Sequence, residues 1–68
     1  MFKLGDRVKV NLATRERLAK FSGIHMNTYT GVTLIVYMIV GSQIYASVTG
    51  TRGSKGGIWS ANELYKVN

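Results

Sequence analysis

Hydrophobic positions crowd into the middle of this chain. Val32-Thr33-Leu34-Ile35-Val36-Tyr37-Met38-Ile39-Val40 forms one apolar run, and Gln43-Ile44-Tyr45-Ala46-Ser47-Val48-Thr49-Gly50 forms a second. β-Branched and aromatic residues favour strands, so the Gly41-Ser42 pair between the runs predicts a β-hairpin. Glycine at the first central position suits a type II′ turn, whose twist matches that of the strands it joins. Such a two-residue turn sets Val40 opposite Gln43 and Ile39 opposite Ile44. With regular alternation, Ile35, Tyr37, Ile39, Ile44, Ala46 and Val48 share one face and supply a core. Leu34, Val36, Met38, Val40, Tyr45 and Ser47 then share the other face, which is too apolar for water. Leu34, Val36, Met38 and Tyr45 are therefore expected at an interface. The long loop of residues 12–29, another copy of the chain or a partner protein would cover it.

The flanks carry different patterns. After a turn at Gly5-Asp6, Val8 and Val10 alternate with Arg7 and Lys9, which predicts a half-buried strand with a basic outer face. In residues 13–21, helix formers with Leu18 and Phe21 as the apolar set, and Thr14 as cap, support one short helical turn or a structured loop. Ser22-Gly23 ends it, and a loop leads to a strand beginning at Thr30. Beyond the hairpin, Thr51-Arg52-Gly53-Ser54-Lys55-Gly56-Gly57 is a basic, glycine-rich turn, and Ile58-Trp59 is a short strand. Ser60 and Glu63 stand at capping-box spacing and predict a 3₁₀ turn before a last strand, Tyr65-Lys66-Val67. The sum is a single all-β domain spanning residues 1–68. Its five short strands form a small, partly open barrel with a long first loop. Val8, Val10, Ile44, Ala46, Val48, Ile58 and Leu64 are expected inside.

That layout resembles the SH3-like barrels, KOW-like modules among them, over nearly the whole chain. The likeness is carried by Gly5-Asp6-Arg7-Val8-Lys9-Val10, by Tyr29-Thr30-Gly31-Val32, and by Ile58-Trp59 with Glu63-Leu64. The ends are also similar to the type II dihydrofolate reductases, which open with a Gly-Asp-Arg-Val strand. Those proteins close with a Val-Gln-Ile-Tyr motif, a Leu five residues beyond the Tyr and a terminal Ile-Asn. Ile58, Trp59, Leu64, Val67 and Asn68 keep that spacing, but Gly56 and Gly57 stand where the family has Val and Gln. The glutamine that holds the family's ligands is missing, so the resemblance implies the scaffold without the reductase activity.

Composition narrows the chemistry. The 68 residues include no cysteine, one histidine and three acidic residues. No disulfide or thiolate metal site is available, and little material remains for any metal centre or acid–base pair. No catalytic activity, metal or cofactor is expected. His25 reads as an ordinary loop residue. Asp6 suits the first turn, Glu16 a pair with Lys20, and Glu63 the cap. A domain this small must pack efficiently or associate, so a homo-oligomer is in view. Residues 21–51 carry no Asp, Glu, Lys or Arg, yet the apolar run 32–40 covers less than half of the ~20 residues a spanning helix needs. Gly41-Ser42-Gln43 then interrupts it, and no apolar leader opens the chain. A cytoplasmic protein with no membrane contact is expected.

The net charge of +6 and an isoelectric point of about 10.1 point towards nucleic acid, although solubility alone also asks for net charge. Lys9, Arg15, Arg17, Lys20, Arg52 and Lys55 are the expected phosphate contacts, with Trp59 and Tyr29 as stacking or packing anchors. Residues 51–57 hold glycines, hydroxyls and two cations but lack the spacing of a P-loop. The first-loop cations Arg15, Arg17 and Lys20 are expected to meet Arg52 and Lys55 in one patch. The expected function is therefore non-enzymatic binding of nucleic acid or of a nucleic-acid-associated protein. The alternative is a small adaptor or inhibitor, of the kind phage and mobile elements encode, docking through its apolar strand face.

Overall fold

Pairing of short strands organises the computed structural model, which describes residues 1–67. Asn68, which the reductase resemblance takes in, lies outside the described residues. The strands are β1 (Arg7–Val10), β2 (Leu34–Val40), β3 (Gln43–Ser47), β4 (Gly56–Trp59) and β5 (Leu64–Val67). They form one antiparallel sheet in the order β4-β3-β2-β1-β5. β5 returns to β1, with Val10 opposite Leu64 and Lys9 opposite Tyr65. β4 and β5 remain the two edges, so the sheet is open. A 3₁₀ turn at Ala61–Glu63 precedes β5, and Ser60 N–H donates to Glu63 Oε1 at 2.6 Å, as the capping-box spacing predicts.

The domain is not all-β. A ten-residue helix, α1 (Leu12–Phe21), fills the first half of the expected long loop, and a 3₁₀ turn at Met26–Thr28 follows. The cap is Asn11 rather than Thr14: Thr14 N–H donates to Asn11 Oδ1 at 2.9 Å. Asn11 Nδ2 also donates to Asn62 O at 2.7 Å, so one side chain both starts the helix and ties it to the turn before β5. Thr14 itself is buried within the helix. With the cap set three residues earlier, the helix formers of residues 13–21 propagate through the whole segment. Leu18, Tyr29 and Val32 pack against the core, so the segment covers the inner face of the sheet.

The hairpin begins as its sequence predicts. Gly41 has φ 58°, and no non-glycine residue described has a positive φ, which is the backbone of a II′-type turn at Gly41-Ser42. Val40 pairs with Gln43 and Ile39 with Ile44. Met38 then faces Tyr45 while Val36 faces Ala46, leaving Tyr37 as the extra residue of a β-bulge. The bulged stretch is held from its other side as well: Gly5 N–H donates to Val36 O at 2.8 Å and Val36 N–H to Asp6 O at 3.0 Å.

That one residue inverts the alternation beyond it. Leu34 and Val36, expected on the outer face, are 0% and 1% exposed and belong to the core with Val8, Val10, Ile44, Ala46, Trp59 and Leu64. Met38 and Tyr45 do face away from the core, paired across the ladder. Val48 and Ile58 leave the expected core and are 41% and 54% exposed. Val48 lies past the end of β3. Ile58 sits opposite Tyr45, because Trp59 takes the inward place opposite Ile44. β4 can approach β3 this closely only because Gly56 has no side chain. A Cβ there would press on Ala46 O and stand 2.5 Å from Ser47 Cα.

Candidate nucleic-acid interface

The cations of the first and last loops do not gather into one patch. Arg15 and Arg17 lie about 200° apart around α1 and leave it in different directions. Arg15 Nη1 donates to Thr30 Oγ1 at 2.8 Å. Arg17 forms an ion pair with Glu63 across to the turn before β5. Lys20 lies over the Phe21 ring, 5.3 Å from its centroid, rather than against Glu16. Lys55 reaches back to the first loop: its Nζ donates to Thr28 O at 2.6 Å and stands 5.4 Å from the Tyr29 ring centroid. Arg15 and Lys55 thus converge on residues 28–30 from two sides, while Arg17 and Arg52 lie elsewhere.

The expected aromatic anchors serve the core. Trp59 is 6% exposed and belongs to the core, so of the two expected roles it takes the packing one. Tyr29 is half-buried, meets Trp59 edge-on at 5.2 Å and 90°, and directs its hydroxyl to Gly56 O at 3.4 Å. His25 is occupied locally, its Nδ1 accepting from Asn27 N–H at 3.1 Å at the start of the 3₁₀ turn.

Arg52 is held by a loop that satisfies itself. Buried Ser47 donates from Oγ to Thr51 O at 2.7 Å and accepts from Thr51 N–H at 2.9 Å. Val48 N–H donates to Lys55 O at 2.8 Å, extending the β3–β4 ladder by a rung. Thr49 N–H donates to Ser54 Oγ at 3.2 Å, and the Thr49 hydroxyl bonds those of Ser54 (2.6 Å) and Thr51 (2.8 Å). Residues 48–55 are therefore braced from within, and exposed Arg52 projects from their apex.

The outward side of the sheet carries two groups of side chains, one on β1 and β5 and one on β2, β3 and the 48–55 loop. Val8 and Val10 point inward, so Arg7 and Lys9 point outward, beside exposed Tyr65 of β5. The bulge brings Tyr37 next to Tyr45, with ring centroids 6.1 Å apart and planes at 66°. Tyr37, Tyr45, Arg52, Ser54 and Ile58 line a concavity of about 260 Å³, floored by Gly56 and Gly57. No strand residue is acidic. Asp6 receives Lys66 at 3.5 Å, Glu63 receives Arg17, and Glu16 lies on α1. The outward face is consequently basic and aromatic without an opposing carboxylate. α1 lies on the opposite side, so the first segment leaves this face open.

Of the expected contacts, Lys9 and Arg52 belong to this face; of the expected interface, Met38 and Tyr45 do. Arg7, Tyr37 and Tyr65 are the residues that sequence reasoning passed over. The signal for Arg7 was present, since it shares the alternation that turns Lys9 outward. Tyr37 gave none, because regular alternation assigns it to the core. No protein-family profile matches the chain, and neither a curated protein nor a solved structure matches it.

Proposed function

We propose that this chain is a non-enzymatic nucleic-acid-binding module, built as an open SH3-like barrel that meets its ligand with the outward face of the sheet. The barrel reading is supported by a meander from β1 to β4 whose last strand, β5, returns to β1 after a 3₁₀ turn. The observation that carries the function is the outward face itself. Arg7 and Lys9 stand with Tyr65 on its β1 and β5 strands, and Arg52 stands with Tyr37 and Tyr45 over β2 and β3, with every acidic side chain elsewhere. Cations neutralise phosphates and release counterions, and aromatic rings offer π-faces to bases. A reductase reading gains no support, because the place of that family's valine is Gly56, where the β3 backbone leaves no room for a side chain.

Fluorescence anisotropy with labelled oligonucleotides across a salt series tests the proposal. Binding should weaken steeply with salt. Replacing Arg7, Lys9 and Arg52 together by Gln should flatten the logarithmic salt slope by about two to three contacts' worth. Arg17→Gln, which removes only the partner of Glu63, should leave the slope unchanged. An unaltered slope in the triple variant overturns the assignment of this face. A second reading, docking of a protein or of another copy, draws on Val40 and Ile58, which remain exposed on the same strands. Affinity that barely responds to salt would favour that reading instead.

A further inference from the structure

We infer that the concavity between Tyr37, Tyr45 and Arg52 is a seat for a single unstacked nucleobase, so that the ligand is single-stranded nucleic acid rather than duplex. The inference rests on the nucleic-acid reading above and adds to it the strand state and the subsite.

Three independent features of the chain build this seat. The bulge in β2 turns Tyr37 outward, and its ring then meets Tyr45 at an angle of 66° rather than stacking flat upon it. Two rings inclined in this way make a corner, in which a flat heterocycle can lie on one π-face with its edge towards the other. Gly56 and Gly57 keep β4 free of side chains beneath the corner, and Ile58 closes one wall. The Ser47–Thr51 hydrogen bonds and the hydroxyls of Thr49 and Ser54 brace the loop that carries Arg52 to the rim. The loop thereby places Arg52 at the rim of the corner, from where its guanidinium can meet the phosphate of a seated nucleotide or stack on its base.

Duplex DNA offers this site no base. Its π-faces are covered by neighbouring pairs, so no base can lie on the Tyr37 or Tyr45 ring without leaving the stack. A single strand presents bases that splay out and stack on aromatic side chains, a contact that tolerates sequence because every base has a π-face. The seat is therefore expected to discriminate by strand state far more than by sequence.

Three probes of about 12 nucleotides separate the possibilities: single-stranded oligo-dT, an abasic strand of the same length and charge, and a duplex. The intact protein should bind oligo-dT about ten- to a hundred-fold more tightly than the abasic strand, and more tightly than the duplex. Tyr45→Leu should remove that preference for oligo-dT over the abasic strand, while Tyr45→Phe should retain it. Circular dichroism of both variants checks that the sheet is intact, and the probe comparison on the unaltered protein needs no variant at all. Equal affinity for oligo-dT and the abasic strand would overturn the base seat while leaving phosphate binding by the face in place. Preference for the duplex would likewise overturn it. Absence of binding to all three probes at low salt would overturn both this inference and the function on which it rests.

Discussion

Val36 and Met38 stand two positions apart in one strand, yet they belong to different environments. Regular alternation would give them a shared face; the bulge at Tyr37 puts Val36 in the core and Met38 outside. The two positions should consequently respond in opposite ways to charge. Val36→Lys buries an ammonium with no partner, which costs several kcal/mol against a total stability on the order of 5 kcal/mol for so small a domain. It should abolish the cooperative urea transition. Met38→Lys should fold with a midpoint close to that of the original protein and, by adding a cation to the outward face, should tighten oligonucleotide binding. Equal damage from both substitutions would show that the ladder is regular and that Val36 and Met38 share one buried face. The same bulge explains why Tyr37, apolar in its sequence neighbourhood, reaches Tyr45 at all.

Among the elements, α1 depends on one residue outside it. Asn11 caps the helix through Thr14 N–H and donates its amide to Asn62 O, so it couples the helix to the turn that delivers β5. The Arg17–Glu63 ion pair spans the same junction, and Glu63 also accepts from Ser60 N–H. Asn11→Ala removes the cap and the link together. It should lower stability by about 1–2 kcal/mol, read as a lower urea midpoint with an unchanged slope. Asn11→Asp keeps the acceptor but loses the amide donor, and should fall between the two. An Asn11→Ala protein as stable as the original would mean that the helix is held by Leu18 packing alone. The loop of residues 48–55 illustrates the opposite case. Its sequence reads as a solvated, glycine-rich turn, yet the buried Ser47 hydroxyl and the threonine and serine side chains brace it from within.

Across the whole molecule, order and charge are both unevenly distributed. β2 and β3 pair along most of their length and lie inside the sheet, whereas β4 and β5 have one free edge each. α1 rests on the core mainly through Leu18. Native-state hydrogen exchange should therefore find the slowest amides in Ile44, Ala46 and Val36, with β5 and α1 opening at lower free energy. A helix more protected than the central strands would contradict this ranking. Charge follows a separate division. The acids sit at the turn before β1, on α1 and at the turn before β5, which leaves the outward sheet face positive. On the proposed function, the net charge of +6 would act directionally, drawing a polyanion to the face where the tyrosines stand.

The sequence by itself determined every feature that rests on neighbours along the chain. The Gly41-Ser42 turn with its first two pairs, the alternation of Val8 and Val10 with Arg7 and Lys9, and the Ser60–Glu63 turn are of this kind. Each is set within a few residues by backbone sterics, side-chain period or a local hydrogen bond. Tertiary structure alone decided where the alternation breaks, because a bulge responds to what lies on both sides of β2, here Gly5-Asp6 and β3. It likewise gave Trp59 the inward place and Ile58 the outward one, since the close approach at Gly56 sets which face of β4 meets the core. The candidate site follows the same rule. The expected phosphate contacts were legible as charges, but the partners that draw some of them away from the site were not. Arg17 is taken up by Glu63 and Lys55 by Thr28, residues 46 and 27 positions away in the chain, and only the folded chain brings them within reach.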